Sequence, residues 1–318
     1  MKRVVITGAS GFVGANLARR LLRDGHEVNL LLRPGFQPWR IREIQKDVRL
    51  HLVQLHDVGA VDKALGEIRP NWIFHLAAHG AYSWQNDLPQ MVQTNIIGTM
   101  NLVQASLHIN VEAFVNTGSS SEYGLKDHPP SETEFLEPNS DYAVTKASAT
   151  LFCRYTAQRE RVHIPTLRLY SVYGPYEEPN RLVPQLILRG LQKQLPPLVD
   201  PDTVRDFTHV DDVVDAYLAA VHRSGQEWGA VYNVGTGIQT SLQQAVDIVR
   251  QAMDIAAEPQ WGSMSSRIWD TRCWVADNRA IRRALGWQPR HAFKDGFRQT
   301  CAWFQDNPQL MAIYKGAT

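Results

Sequence analysis

The sequence predicts an α/β fold: a doubly wound parallel sheet followed by a smaller C-terminal α/β lobe. Two observations carry that reading. The apolar run Arg3-Val4-Val5-Ile6-Thr7 ends in the glycine-rich turn Gly8-Ala9-Ser10-Gly11-Phe12-Val13-Gly14, after which Val13, Leu17, Leu21 and Leu22 recur at helical spacing. Further short apolar runs then alternate with helical patterns, and strands joined by helical crossovers pair in parallel within one sheet. A length of 318 residues exceeds one typical core, which leaves room for the second lobe.

The elements follow in order. Residues 26–32 read as the second strand, a third precedes Asp57-Val58, and 71–76 and 111–116 are later buried strands. Helical patterns at 60–68 and 89–107 separate them, and a long helix at 142–160 leads to a strand at 166–170. Beyond it, prolines at 175, 179, 184, 196, 197 and 201 break the chain into loops and short elements. Helical stretches remain near 182–192, 210–222, 240–254 and 277–285. We place a sheet domain at 1–168 and a smaller lobe at 169–318, with about 205–226 returning to the first domain.

Hydrophobic residues at 44%, charged residues at 20% and a net charge of +1 are globular values with no field to attract a nucleic-acid polymer. Cys153, Cys273 and Cys301 are odd in number, far apart and without metal-ligand spacing, so we expect free thiols in a reducing compartment and no metal. The first strand starts close to Met1, and no apolar run approaches the ~18 residues of a membrane span, so a cytoplasmic protein is expected.

Glycine triplets are common in turns. Between a strand and a helix, however, Gly8, Gly11 and Gly14 form a cradle where a pyrophosphate can approach bare backbone and face the helix N-terminus. The end of the second strand decides which dinucleotide fits. An acidic side chain there would hold a ribose 2′-hydroxyl, but Leu32 and Arg33 occupy the place, and a guanidinium pairs with a 2′-phosphate. The local chemistry therefore favours NADP(H) over NAD(H), with Arg40 a second positive charge. Asp57 and Val58 fall near the adenine.

Tyr142-Ala143-Val144-Thr145-Lys146 opens the long helix, and its four-residue spacing stacks a phenol and an ammonium on one face. A phenol near pKa 10 is a poor proton shuttle at neutral pH, and a neighbouring lysine cation stabilises its phenolate. Ser119, in the run Asn116-Thr117-Gly118-Ser119-Ser120-Ser121-Glu122-Tyr123-Gly124, lies past a strand end, where side chains face the crevice.

This ordered set resembles the extended short-chain dehydrogenase/reductase family, in its nucleotide-diphosphate-sugar epimerase/dehydratase branch, over nearly the whole chain. His75-Leu76-Ala77-Ala78, Thr94-Asn95-Ile96-Ile97-Gly98-Thr99, Leu167 to Pro175, Arg205 to Asp212, Asn233 to Gly237, Arg267-Ile268-Trp269-Asp270 and Leu285 to Pro289 extend the match. The resemblance implies a Rossmann domain and a Ser119, Tyr142, Lys146 catalytic set. It implies a cofactor lined by Gly8, Ser10, Gly11, Phe12, Val13, Gly14, Leu76, Ala77, Ala78, Asn95, Tyr142 and Lys146. Arg205 and Arg267 would hold a substrate diphosphate, with Ser119, Ser120, Ser171, Tyr82 and Arg181 around the sugar.

Dehydratases of this branch carry an Asp-Glu pair after the catalytic hydroxyl residue, and this chain has Ser120 and Ser121 there, with Glu122 one place further on. Leu32-Arg33 then tilts the reading to an NADPH-dependent reductase of the C4 ketone of a 4-keto-6-deoxy nucleotide sugar. The alternatives are an NAD(P)-dependent 4-epimerase and a non-enzymatic NADP sensor. Apolar Met91, Val92, Ile97, Leu102, Leu151 and Phe152 on the helices at 89–107 and 142–160 lead, with the family resemblance, to an expected homodimer.

Overall fold

The chain enters its sheet in the middle. In a computed structural model describing residues 1–222, 227–265 and 271–316, β1 (Arg3–Thr7) pairs with β2 (Glu27–Leu32), which pairs with β3 (Arg49–Leu52) at one edge. The chain then crosses back to lay β4 (Trp72–His75) on the other side of β1, followed outward by β5 (Ala113–Ser119) and β6 (Thr166–Leu169). Three short strands come next, β7 (Ser171–Tyr173), β8 (Val204–Arg205) and β9 (Phe207–His209), before β10 (Val231–Val234) closes the far edge. All neighbours in the order β10-β6-β5-β4-β1-β2-β3 are parallel. Such an order reverses between β1 and β4, and the crevice outside their carboxyl ends is where this architecture binds ligands.

Each central strand is apolar on both faces, which is why the strands read as continuous runs. Val4 and Ile6 of β1 pack with Leu17, Leu21, Val213 and Tyr217 of α1 (Phe12–Arg23) and α7 (Val210–His222), which cover one face of the sheet. Val5, Ile73 and Phe114 face the opposite layer, formed by α2 (Val58–Ile68), α4 (Gly98–His108) and α5 (Asp141–Glu160). A third core, with Leu186, Val246, Phe297 and Tyr314, belongs to α6 (Leu182–Gly190), α8 (Leu242–Met253), α10 (Phe293–Asp306) and α11 (Met311–Gly316). The antiparallel pair β8 and β11 (Thr240–Ser241) and the parallel pair β7 and β9 link that lobe to the sheet. Helix α9 (Arg279–Leu285) packs beside β10 through Ile281. No described helix is long and apolar enough to cross a membrane.

Three features differ from the expectations. The sheet takes its last strand from Val231–Val234, beyond both 1–168 and 205–226. The predicted helix at 89–107 is three pieces: α3 (Leu88–Met91), a π-helical segment (Val92–Ile97) and α4. Helix α10 lies where no element was expected.

Candidate active site

The glycine turn sits at the point where the strand order reverses. Gly8 has φ 70°, and a Cβ there would lie 2.6 Å from the Ala77 amide nitrogen, so the turn rests directly on the chain leaving β4. A Cβ on Gly14 would meet the Gly8 carbonyl oxygen at 2.5 Å, so α1 packs on its own turn at backbone distance. Gly11 is the N-cap of α1 and offers no side chain to the first-turn amides, while its own N–H donates to Gly8 at 2.9 Å. This bare, positive helix end over a cradle that any Cβ would fill fits a dinucleotide pyrophosphate. Phe12 is buried in the lobe core and Val13 packs against it, so both have only backbone groups to offer.

A buried polar chain holds β4 beside the turn. Thr7 Oγ1 accepts the amides of Leu76 and Ala77 at 3.2 and 3.1 Å, which leaves its own proton for His75 Nδ1 at 2.7 Å. His75 Nε2 then donates to Thr99 Oγ1 at 2.8 Å, and that hydroxyl donates to the Asn95 carbonyl at 2.7 Å. The tautomer follows from this directionality. Burial, with Lys146 nearby, holds the imidazole neutral down to about pH 3. Asn95, fully buried in the π-helical segment, accepts the His79 amide at 2.8 Å and donates to the His79 carbonyl at 2.8 Å and to Thr145 at 2.9 Å. It therefore joins the loop after β4 to α5 rather than presenting its amide freely to a ligand. Leu76 and Ala77 are half-buried and Ala78 is exposed on that loop.

Helix α5 begins at a Ser140 cap that accepts the Ala143 amide at 3.2 Å, and its first turn carries Tyr142. Ser119 lies beside the phenol and favours its ionised form, but burial outweighs it and pushes the phenol up to about 12. Lys146, one turn on and 2% exposed, is pushed down by burial. The structure thus brings Ser119, Tyr142 and Lys146 together at the carboxyl end of β5. Glu122 points away from the crevice: fully buried, it accepts Arg168 Nε at 2.8 Å, the Ser119 amide at 2.8 Å and Thr150 Oγ1 at 3.0 Å. Thr7, His75, Thr99 and the Glu122–Arg168 pair were not among the predicted site residues. Thr7, His75 and Arg168 showed in the sequence only as polar residues inside apolar strands, Thr99 as a polar residue on a helix and Glu122 as an acid after a serine run.

Other predicted residues are dispersed. Arg33 is exposed at the end of β2, and Asp57 caps α2 by accepting the Ala60 amide at 3.0 Å, with Val58 exposed beside it. Arg40 is not a second free cation: buried, it donates to Tyr176 O at 2.8 Å and Glu178 Oε2 at 2.9 Å, and more weakly to Ser10 O at 3.4 Å. Tyr82 stacks on Trp84 with ring centroids 4.8 Å apart, and Arg181, cap of α6, lies 3.8 Å from Glu177; both Tyr82 and Arg181 bear electrostatically on Tyr142. Ser120 is buried and borders a small cavity with Tyr170 and Trp274, Ser171 begins β7, and Arg205 ends β8, donating to Val204 O at 2.7 Å. Arg267 lies outside the described residues. A groove of about 780 Å³ along the β10 edge contains none of these side chains. His209, Asp211 and His291 bring ligand atoms within 4.8 Å of one another, but His291 Nδ1 is bound to Asp212 at 2.9 Å, which reads as a hydrogen-bonded cluster.

The family model described as "NAD dependent epimerase/dehydratase family" matches residues 4–235. The chain is 31% identical over 319 residues to the UDP-glucose 4-epimerase of Mycolicibacterium smegmatis, covering 96% of this chain and 100% of that protein. A UDP-glucose 4-epimerase of Thermotoga maritima, solved with UDP-glucose, has a TM-score of 0.86 at 25% identity over 96% of this chain and 99% of its own. That of Thermus thermophilus, solved with NAD, has a TM-score of 0.83 at 28% identity over 95% and 99%. With a glycine cradle at the switch point, a serine–tyrosine–lysine set beside it and a match over most of its length, the chain belongs to the NAD-dependent epimerase/dehydratase family, enzymes of the extended short-chain dehydrogenase/reductase type that act on nucleotide sugars.

Proposed function

We propose that the protein is a UDP-sugar 4-epimerase working with NAD. The observation that carries this reading is Ser119 set beside the Tyr142 phenol with buried Lys146 one turn on, at a crevice where Ser120 and Ser121 stand in place of an acid–base pair for dehydration. The reductase reading rested on Leu32-Arg33 in place of an acid for the ribose 2′-hydroxyl, with Arg40 as an added positive charge. With Arg40 committed to Tyr176 and Glu178, only Arg33 remains, and the epimerase relatives, one solved with NAD, favour the alternative. A sensor would have no use for a half-buried phenol and a buried ammonium on one helix face.

NAD, when bound on the Gly8, Gly11 and Gly14 cradle, supplies a reversible hydride acceptor. Tyr142 takes the C4 hydroxyl proton of the sugar and returns it after the keto sugar has presented its other face. Ser119 donates to that oxygen, and the Lys146 ammonium stabilises the Tyr142 phenolate. Ser171, Arg181, Arg205, Tyr82 and Arg267 are the proposed contacts for the sugar and its diphosphate. Val144, Leu151 and Tyr155 form an exposed stripe on α5, 48%, 56% and 56% accessible, which supports a homodimer through that face.

The test is incubation with UDP-glucose and NAD, following the C4 epimer by NMR. Epimerisation without net cofactor consumption is expected, and Tyr142→Phe should lower it by about 10²–10⁴-fold while NAD affinity changes little. Net oxidation of NADPH by a 4-keto sugar, with NADPH bound at least about ten-fold more tightly than NADH, would restore the reductase.

A further inference from the structure

Glu122 is a buried acid that the proposed reaction leaves unused, and its three partners tie the Ser119 backbone to α5 and to β6. One carboxylate oxygen, Oε1, accepts both the Ser119 amide at 2.8 Å and Thr150 Oγ1 at 3.0 Å. Thr150 lies two turns beyond Tyr142 and one beyond Lys146, on the same face of α5. The other oxygen is held by Arg168 of β6 at 2.8 Å, and that guanidinium also donates to Tyr123 at 2.7 Å, whose hydroxyl reaches Asn233 of β10 at 2.8 Å. Gly118 leaves the room this requires: a Cβ there would come within 2.8 Å of Glu122 Oε1. A carboxylate with all its near partners fixed is costly to bury unless every bond is made, and here each is.

We propose that Glu122 is a positioning residue, clamping the Ser119 backbone to Thr150 and so setting Ser119 against Tyr142. The proposal rests on the acid–base reading of Ser119 and Tyr142 but not on which sugar is turned over. The charged and titratable groups facing Glu122 are Arg168 from β6, Tyr123 on its own turn, and Tyr142, Lys146 and Cys153 from α5. Its negative charge raises the Tyr142 phenol and the Lys146 ammonium, whereas Ser119 beside the phenol lowers it. Charge and position therefore move the phenol in opposite directions, which makes them separable.

The experiment is a spectroscopic titration of Tyr142 in the NAD complex, with Tyr142→Phe as the blank, on Thr150→Val, Thr150→Ser and Glu122→Gln, alongside steady-state kinetics. Thr150→Val keeps the volume and the carboxylate but removes the clamp. It should move the phenol midpoint up and lower kcat by about three- to ten-fold with KM unchanged, and Thr150→Ser should restore both. Glu122→Gln should move the midpoint down. Thr150→Val with an unchanged midpoint and kcat, or Thr150→Ser as impaired as Thr150→Val, would overturn the proposal. Should Glu122→Gln fail to fold, the Thr150 pair still decides it. Absence of turnover in the unmodified protein would sink the epimerase reading instead, while the titration still reports on the clamp.

Discussion

At Gly14 the first helix comes closer to its own turn than any side chain permits. A methyl group would have to occupy space 2.5 Å from the Gly8 carbonyl oxygen and 2.9 Å from Ala9 Cα, both backbone atoms that cannot swing aside. Gly14→Ala should therefore cost about 1–3 kcal/mol by thermal unfolding and weaken NAD binding, because the relaxed turn no longer presents its amides together. A variant of normal stability and affinity would show that the turn has slack. His75 makes a second test by pH. It is neutral in the fold down to about pH 3, whereas an unfolded histidine takes a proton near 6.5, so its contribution is present above pH 6.5 and is lost as pH falls towards 3. Stability should fall by about 1.4 kcal/mol per pH unit in that window from this one group, and His75→Asn should flatten the slope by that amount even though it lowers the absolute stability. Identical slopes in the two proteins would remove His75 from the account. The glycines were legible because spacing alone encodes them. His75 was legible only as part of a resemblance, since nothing in a sequence shows that Thr7 and Thr99 bracket its ring.

Among the elements, those carrying a strong period were the readable ones. Helix α5 was expected at 142–160 and spans Asp141–Glu160, whereas β5 was expected to stop at 116 and continues to Ser119, because Asn116, Thr117 and Gly118 are polar or small yet buried or half-buried in the sheet. Helix α10 went unnoticed although Phe293, Phe297, Thr300 and Phe304 share its buried face; Gly296 in its middle weakens the local propensity, and packing against the lobe core overrides it. The π-helical segment could not be foreseen, since one extra residue per turn leaves the apolar pattern almost unchanged. What that segment does is turn Asn95 inward. Removing the amide in Asn95→Ala strands the His79 amide and carbonyl and takes one partner from the Thr145 hydroxyl, which keeps its bond to the Tyr142 carbonyl, for an expected loss of about 2–4 kcal/mol. Hydrogen exchange at the His79 amide should accelerate more than at β1. Uniform acceleration across the sheet would mean that Asn95 stabilises the fold generally and does not hold this loop.

For the whole molecule, the two faces of α5 divide the work. Tyr142, Lys146, Thr150 and Cys153 look inward to the site and the core, and Val144, Leu151 and Tyr155 look outward. Of the six apolar residues that first suggested a dimer, Met91 and Leu102 are core, Val92 and Phe152 are half-buried, and only Ile97 and Leu151 remain exposed, at 38% and 56%. The stripe that can pair is thus narrower than the sequence implied, because helical period cannot separate a face buried in its own domain from one awaiting a partner. Its residues at 144, 151 and 155 nonetheless fall on one line along the helix, and an exposed apolar line of that kind on a globular chain calls for cover. If a second copy supplies it, the protein elutes as a dimer by light scattering at micromolar concentration, and Leu151→Glu, which places two like charges across the two-fold axis, gives a monomer. The inward face of α5 is untouched by that change, so NAD binding should persist in the monomer while the thermal midpoint falls and becomes independent of concentration. An unmodified protein that is monomeric at those concentrations would refute the dimer. A dimer that survives Leu151→Glu would place its interface elsewhere on the surface.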